Sequence, residues 1–274
     1  MSMTSATQPA KRLRVRPFRL LVAILVGLVL GTGSLAVVRA THVEPVRTTP
    51  VYDPPVLAGQ WIPGYCSAGV YARLDNTIVL TTSPHCAGVG TVAHDPDTGS
   101  VQGVYGPTAI TIPCQYPDHT CKPSDMNYLV VAADHIPWGH LNVVDLGTAG
   151  YRVILAETAP LACADIAIGA PIEMDGLGVY RTGTVAEKGE YLHPAAADGD
   201  YFPCLIASTL QVGPGDSGSL VLVRGIPAGV TSRSLGGDLG FTPLAEGLTK
   251  LGLIMCTTPD CDLTPPEAPT TSGK

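Results

Sequence analysis

The sequence predicts an all-β body, on three observations. Glycine (31) and proline (25) are abundant among the 274 residues, charged residues make up only 14%, and short apolar or alternating runs recur between turn residues. Such a composition favours many short strands joined by tight turns over long helices. In chain order the runs are 68–73, 77–82, 109–112, 128–133, 151–155, 179–185, 205–210, 219–223 and 228–231. Their regular spacing suggests a barrel or a sandwich. One helix is expected near the end, with Thr242 as its cap, Pro243 at the first helical position, and Leu244, Leu248 and Leu251 on one face. No internal repeat interrupts this pattern.

The body is preceded by a segment of different character. Lys11, Arg12, Arg14, Arg16 and Arg19 stand before the apolar run 20–30, and a small-residue stretch follows, ending in Val38-Arg39-Ala40. That is the layout of a secretory signal peptide cleaved after Ala40. An uncleaved transmembrane anchor is the alternative, since 20–38 is just long enough to span a bilayer. Either way, the positive-inside rule puts the rest of the chain outside the cytoplasm. Residues 41–57 read as a Pro-rich linker or propeptide and 258–274 as a flexible tail, which leaves a folded body over 58–257. Six of the 16 basic residues precede Thr41, leaving ten beyond it against all 23 acidic ones. An acidic body without basic stretches has no footprint for nucleic acid.

All eight cysteines (Cys66, Cys86, Cys114, Cys121, Cys163, Cys204, Cys256 and Cys261) lie beyond the leader. An even count in a chain bound for an oxidising compartment argues for disulfides. Cys114/Cys121 and Cys256/Cys261 close short loops, and Cys66/Cys86 and Cys163/Cys204 are the economical remainder. Zinc is the competing reading of the short pairs, but neither shows a second Cys/His pair at finger spacing. No metal is expected.

The segment richest in chemistry is Gly213-Pro214-Gly215-Asp216-Ser217-Gly218-Ser219-Leu220, a glycine-lined serine running straight into an apolar strand. Acyl transfer needs an exposed hydroxyl with backbone N–H groups converging on the developing oxyanion, and flanking glycines permit the backbone angles that aim them. The N–H groups of Gly215 and Ser217 would form that hole. A serine hydroxyl is a weak nucleophile until a base takes its proton. His85 is the candidate base, at the end of the run 77–82 and beside Cys86, which can staple it to Cys66. His94, His119, His135, His140 and His193 lie in loops without such a setting, and His42 lies in the linker. The histidine needs a carboxylate on its other nitrogen. Asp125 leads directly into Met126-Asn127-Tyr128-Leu129-Val130-Val131 and is preferred over Asp118, Asp134 and Asp145, which read as turn or cap residues.

Thr82-Ser83-Pro84-His85-Cys86, Asp125-Met126-Asn127-Tyr128-Leu129 and Gly215-Asp216-Ser217-Gly218-Ser219 resemble, in the chain order His, Asp, Ser, the three motifs of chymotrypsin-like serine peptidases. Cys66-Ser67-Ala68-Gly69-Val70 ahead of His85-Cys86, and Ala228-Gly229-Val230-Thr231-Ser232 before the helix, are similar to the secreted bacterial streptogrisin-like branch. The resemblance implies two six-stranded antiparallel β-barrels, in lobes of about 58–147 and 148–257, with the triad in the cleft between them. It implies that Ser232, Arg233 and Ser234 pair with substrate backbone as a short strand. It also implies that Gln211, by its offset from Ser217, lies at the base of the primary specificity pocket and sets no charge preference, with Asp238 as the other candidate source of charge. Asp216 should be buried and in need of a cation, for which Arg181 and Arg152 are the candidates.

Pro84, Ser219 and the bulky Arg233 depart from the family's commoner residues at their positions. None removes a catalytic group. The expected activity is therefore that of an exported serine endopeptidase acting on protein or peptide substrates through an acyl-enzyme, as a monomer and without an organic cofactor. The alternative is a catalytically degenerate member of the same fold that serves as an exported binding module. An α/β-hydrolase is disfavoured because the serine motif lacks the final glycine of G-x-S-x-G.

Overall fold

The turn-bounded apolar runs become strands of two main sheets in the computed structural model, which describes residues 56–62, 66–95, 99–107, 111–113, 120–192 and 200–265. The expected leader, the linker as far as residue 55, the end of the tail, and Cys114, Asp118, His119 and His193 lie outside the described residues. Among the described residues, no helix is long and apolar enough to cross a membrane. Residues 20–38, read as a possible anchor, lie outside the described residues.

The first half of the body carries β1 (Trp61–Ile62), β2 (Cys66–Ser67), β3 (Tyr71–Leu74), β4 (Thr77–Thr82), β5 (Val92–His94), β6 (Val101–Tyr105), β7 (Thr120–Cys121), β8 (Asn127–Val131), β9 (Val143–Asp145) and β10 (Tyr151–Val153). Strands β3, β4, β8, β6 and β5 lie side by side in that order. The second half carries β11 (Pro171–Gly176), β12 (Val179–Leu192), β13 (Asp200–Gln211), β14 (Leu220–Val223), β15 (Ile226–Leu235) and β16 (Asp238–Pro243), ordered β12-β11-β14-β15-β16-β13. Pairing of β12 with β13 closes these six strands into a barrel. The helix α1 (Leu244–Leu251) follows, and β17 (Ile254–Met255) then returns to the first sheet, on β3.

Strand β14 shows how one sequence serves two cores. Its four residues are all buried, but successive side chains point to opposite faces. Leu220 and Leu222 join the first core, with Val79, Leu80, Met126 and Leu248. Val221 and Val223 join the second, with Ile172, Ile206 and Phe241. An unbroken apolar run is what burial on both faces requires, and it fixes the position where the chain leaves the serine loop.

Three expectations need correction. Thr242 does not cap the helix; Pro243 occupies the N-cap, no side chain caps it, and the Thr242 hydroxyl instead meets the Asp125 segment. The linker's last residues belong to the body: Leu57 is fully buried and Val56 accepts a hydrogen bond from the Tyr71 hydroxyl. The start of the tail is also docked, since Leu141 N donates to Pro259 O at 2.9 Å and Gly139 N to Asp260 Oδ1 at 2.8 Å.

Disulfides join Cys66 to Cys86, Cys163 to Cys204 and Cys256 to Cys261. Cys121 is also disulfide-bonded. Its expected partner, Cys114, lies outside the described residues.

Candidate active site

The serine loop is held by its glycines and by groups of the first sheet. Gly215 has φ +96° and Gly218 φ +89°, in the left-handed region where glycine carries no Cβ penalty. A Cβ on Gly218 would lie 2.3 Å from Ser67 O and 2.3 Å from Thr82 Oγ1, so the loop sits against β2 and β4 at a distance no side chain permits. Ser67 fixes the loop twice: its N–H donates to Ser217 O at 2.7 Å and its hydroxyl to Gly215 O at 2.9 Å. From the other side Gly218 N donates to Thr231 O at 2.9 Å. The N–H groups of Gly215 and Ser217 donate to no group among the described residues, which leaves both available to an oxyanion.

Asp216 points away from this surface and is buried. Its Oδ2 accepts Gly213 N at 2.8 Å and pairs with Arg181 Nη1 at 2.8 Å, so of the two candidate cations Arg181 is the partner. Arg152 pairs with Glu173 instead, at 3.2 Å. Such a partner offsets the desolvation of a buried carboxylate, and here it ties the turn to β12.

His85 lies in a 3₁₀ turn, Pro84–Cys86, directly after β4. The strand end and the Cys66–Cys86 bond fix this turn within the first half, and the Ser83 hydroxyl, which donates to Thr231 O at 2.7 Å, holds it against the barrel. His85 Nε2 is 2.7 Å from Ser217 Oγ, across 132 residues of sequence. Its Nδ1 is 3.9 Å from Asp125 Oδ2, beyond hydrogen-bond distance.

Asp125 is buried, 6% exposed at its side chain. Its N–H donates to Thr242 Oγ1 at 3.0 Å, and Ser124 Oγ bonds the same hydroxyl at 3.1 Å. Helix α1 packs on this segment so closely that a Cβ on Gly247 would lie 2.7 Å from Met126 Cε and 2.8 Å from Ser124 Oγ. The carboxylate itself accepts the Ser232 hydroxyl at 2.6 Å. The rival carboxylates stand elsewhere: Asp134 is exposed and contacts His135, while Asp145 accepts Gln60 Nε2 and Gly147 N.

Of the other candidates, Gln211 donates its amide to Asp238 Oδ1, opposite it in the β13–β16 ladder. Ser234 accepts Gly237 N within the β15–β16 turn. Arg233 is folded back rather than projecting along the strand, with its guanidinium 4.5 Å from the Phe202 ring and 5.2 Å from the Tyr191 ring. Ladder pairing of β14 with β15 ends at Leu220 and Val230, so the edge of Ser232–Leu235 away from β16 is unpaired among the described residues.

This arrangement can be set beside known proteins. It is similar to Cellulomonas bogoriensis chymotrypsin, with TM-score 0.52 and 22% identity over 74% of this chain and 99% of that one. Thermobifida fusca Protease A gives 0.53 and 20% over 73% and 97%. Nocardiopsis protease gives 0.53 and 17% over 73% and 98%. The fold is chymotrypsin-like. Neither a family model nor a curated protein matches the chain. In this chymotrypsin-like frame the sequence left two supports unread. Ser67 is an ordinary strand residue in sequence and acquires its role only when Gly215 is brought to it. Thr242 carried a helix-cap signal that the Asp125 segment uses instead.

Proposed function

We propose that the chain is an exported serine endopeptidase that hydrolyses peptide bonds through an acyl-enzyme intermediate. The observation that carries this reading is the 2.7 Å approach of His85 Nε2 to Ser217 Oγ, beside the Gly215 and Ser217 amides, which donate to no group among the described residues. Ser217 Oγ attacks the scissile carbonyl carbon while its proton passes to His85 Nε2. The carbonyl oxygen takes up negative charge and is met by the N–H groups of Gly215 and Ser217. Collapse breaks the C–N bond, and His85 returns the proton to the departing amine. Water, deprotonated by the same nitrogen, then releases the acyl group and restores the hydroxyl. Asp125 orients the imidazole and stabilises its protonated form. Substrate backbone pairs with the unpaired edge at Ser232, Arg233 and Ser234, by strand addition. The disulfides and the expected leader support export. We read the body as a single peptidase domain that acts as a monomer.

A second reading, a degenerate member of the fold that binds without turnover, is favoured by one observation. The His85–Asp125 separation of 3.9 Å leaves the imidazole without its orienting hydrogen bond. Such contacts are often long in unliganded sites and tighten when substrate binds. Exposure to a fluorophosphonate separates the two readings. The peptidase reading expects one adduct, on Ser217, that disappears in His85→Ala with the fold intact. An unlabelled wild-type chain that still captures a peptide would establish the binding module instead.

A further inference from the structure

We propose that Arg233 is a positioning residue for Asp125: seated over the rings of Tyr191 and Phe202, cross-strand neighbours in the β12–β13 ribbon, it sets a permanent positive charge against the same carboxylate oxygen that faces His85. This rests on the reading of Asp125 as the orienting carboxylate. Three groups converge on Asp125 Oδ2: Ser232 Oγ at 2.6 Å, His85 Nδ1 at 3.9 Å and Arg233 Nη2 at 3.9 Å. The two nitrogens are equidistant, so neither owns the carboxylate.

The buried carboxylate needs a cation. A histidine that is to accept a proton from serine is neutral at that moment and cannot supply one, whereas a guanidinium is always charged. Arg233 is itself only 16% exposed and is not free to swing into solvent. Phe202 and Tyr191 hold its guanidinium at 4.5 and 5.2 Å, a geometry in which the charge gains from both ring faces. Its Nε also lies 3.5 Å from the Ser232 hydroxyl that donates to Asp125.

The ring pair is tied to the carboxylate through the backbone. Strand β7 pairs in parallel with the start of β13, Thr120 with Asp200 and Cys121 with Tyr201. Lys122 N donates to Tyr201 O at 2.8 Å and Lys122 Nζ pairs with Asp200 at 2.9 Å. The ribbon residue beside Phe202 is thereby joined to the segment that leads into Asp125. Ring, guanidinium and carboxylate form one unit across the two halves of the body.

The titratable and charged groups that meet at this point are Asp125, His85, Arg233 and the Tyr191 phenol. A fixed cation sharing the carboxylate weakens its hold on a protonated imidazole. Removing the cation therefore favours the protonated histidine and moves its titration to higher pH. The test is an NMR titration of the His85 imidazole in the purified exported protein, with the pH profile of kcat/KM on a peptide ester measured in parallel.

Arg233→Gln is expected to move the imidazole titration, and with it the acid limb of kcat/KM, upward by roughly 0.5–1 pH unit. Arg233→Lys should restore most of the wild-type position, and Tyr191→Ala should give a smaller shift of the same sign. An unchanged titration in Arg233→Gln, or a shift as large in Arg233→Lys, would overturn the proposal. The imidazole is read without turnover, so a chain that hydrolyses nothing refutes the peptidase reading while the titration still decides on Arg233.

Discussion

At the scale of single residues the account rests on one carboxylate chosen from several. Asp125 is buried, is fixed at its N–H by Thr242 and faces His85, whereas Asp134 and Asp145 serve a local histidine contact and a turn. Asp125→Asn keeps the shape but offers an amide that can donate, so the imidazole settles in the wrong tautomer and loses its charge partner. A loss of about 10⁴-fold in kcat is expected, the magnitude known for this substitution in the enzyme class. Asp134→Asn and Asp145→Asn should each remain within about tenfold, as changes away from the reacting groups do. If Asp125→Asn remained within tenfold while one of the others collapsed with its fold intact, the carboxylate would be misassigned. The sequence made Asp125 legible because an acid runs directly into an apolar strand. It did not reveal that Ser232 and Arg233 share its oxygen, since both lie 107 or more residues away and only the barrel brings them close.

At the scale of elements, legibility followed burial. Strand β4 was expected at 77–82 and lies there, and the β14 run was recognisable because both its faces are covered. The ribbon β12–β13 was seen only in part. From Ala186 onward β12 is mostly exposed and mixes Glu and Lys with Gly, so no period of two marks it, and backbone pairing alone extends it to Leu192. Strand β11 was not expected at all, yet it carries a buried acid that lies outside the candidate site. Asp175 is 2% exposed, and burial, aided by repulsion from Asp145, raises its pKa to about 6. Between about pH 4 and 6 the folded chain thus holds a proton that the unfolded chain has released. Stability contributed at this position falls as pH rises through that window, and the full cost is present above it. Asp175→Asn removes the charge but keeps the shape, so its melting temperature should exceed that of the wild type at pH 8 by about 2–4 °C. The gap should close below about pH 4. A variant less stable than wild type at pH 8, or one with the same difference at both pH values, would contradict this assignment.

At the scale of the whole molecule, the site exists only where the two halves meet. The first sheet brings His85 and Asp125, the closed barrel brings Ser217, and the hydrogen bonds from Ser67 and Ser83 hold the seam. The sequence announced both halves through their motifs and could not give their approach, which depends on backbone contacts that Gly215 and Gly218 allow. The most direct measurement of the central claim is mass spectrometry of the intact protein, quenched in acid shortly after mixing with a peptide ester. A chain that works as proposed accumulates one added acyl mass, which peptide mapping locates on Ser217 and which is lost in Ser217→Ala. An acyl group carried by another residue, or hydrolysis that survives in Ser217→Ala, would contradict the account.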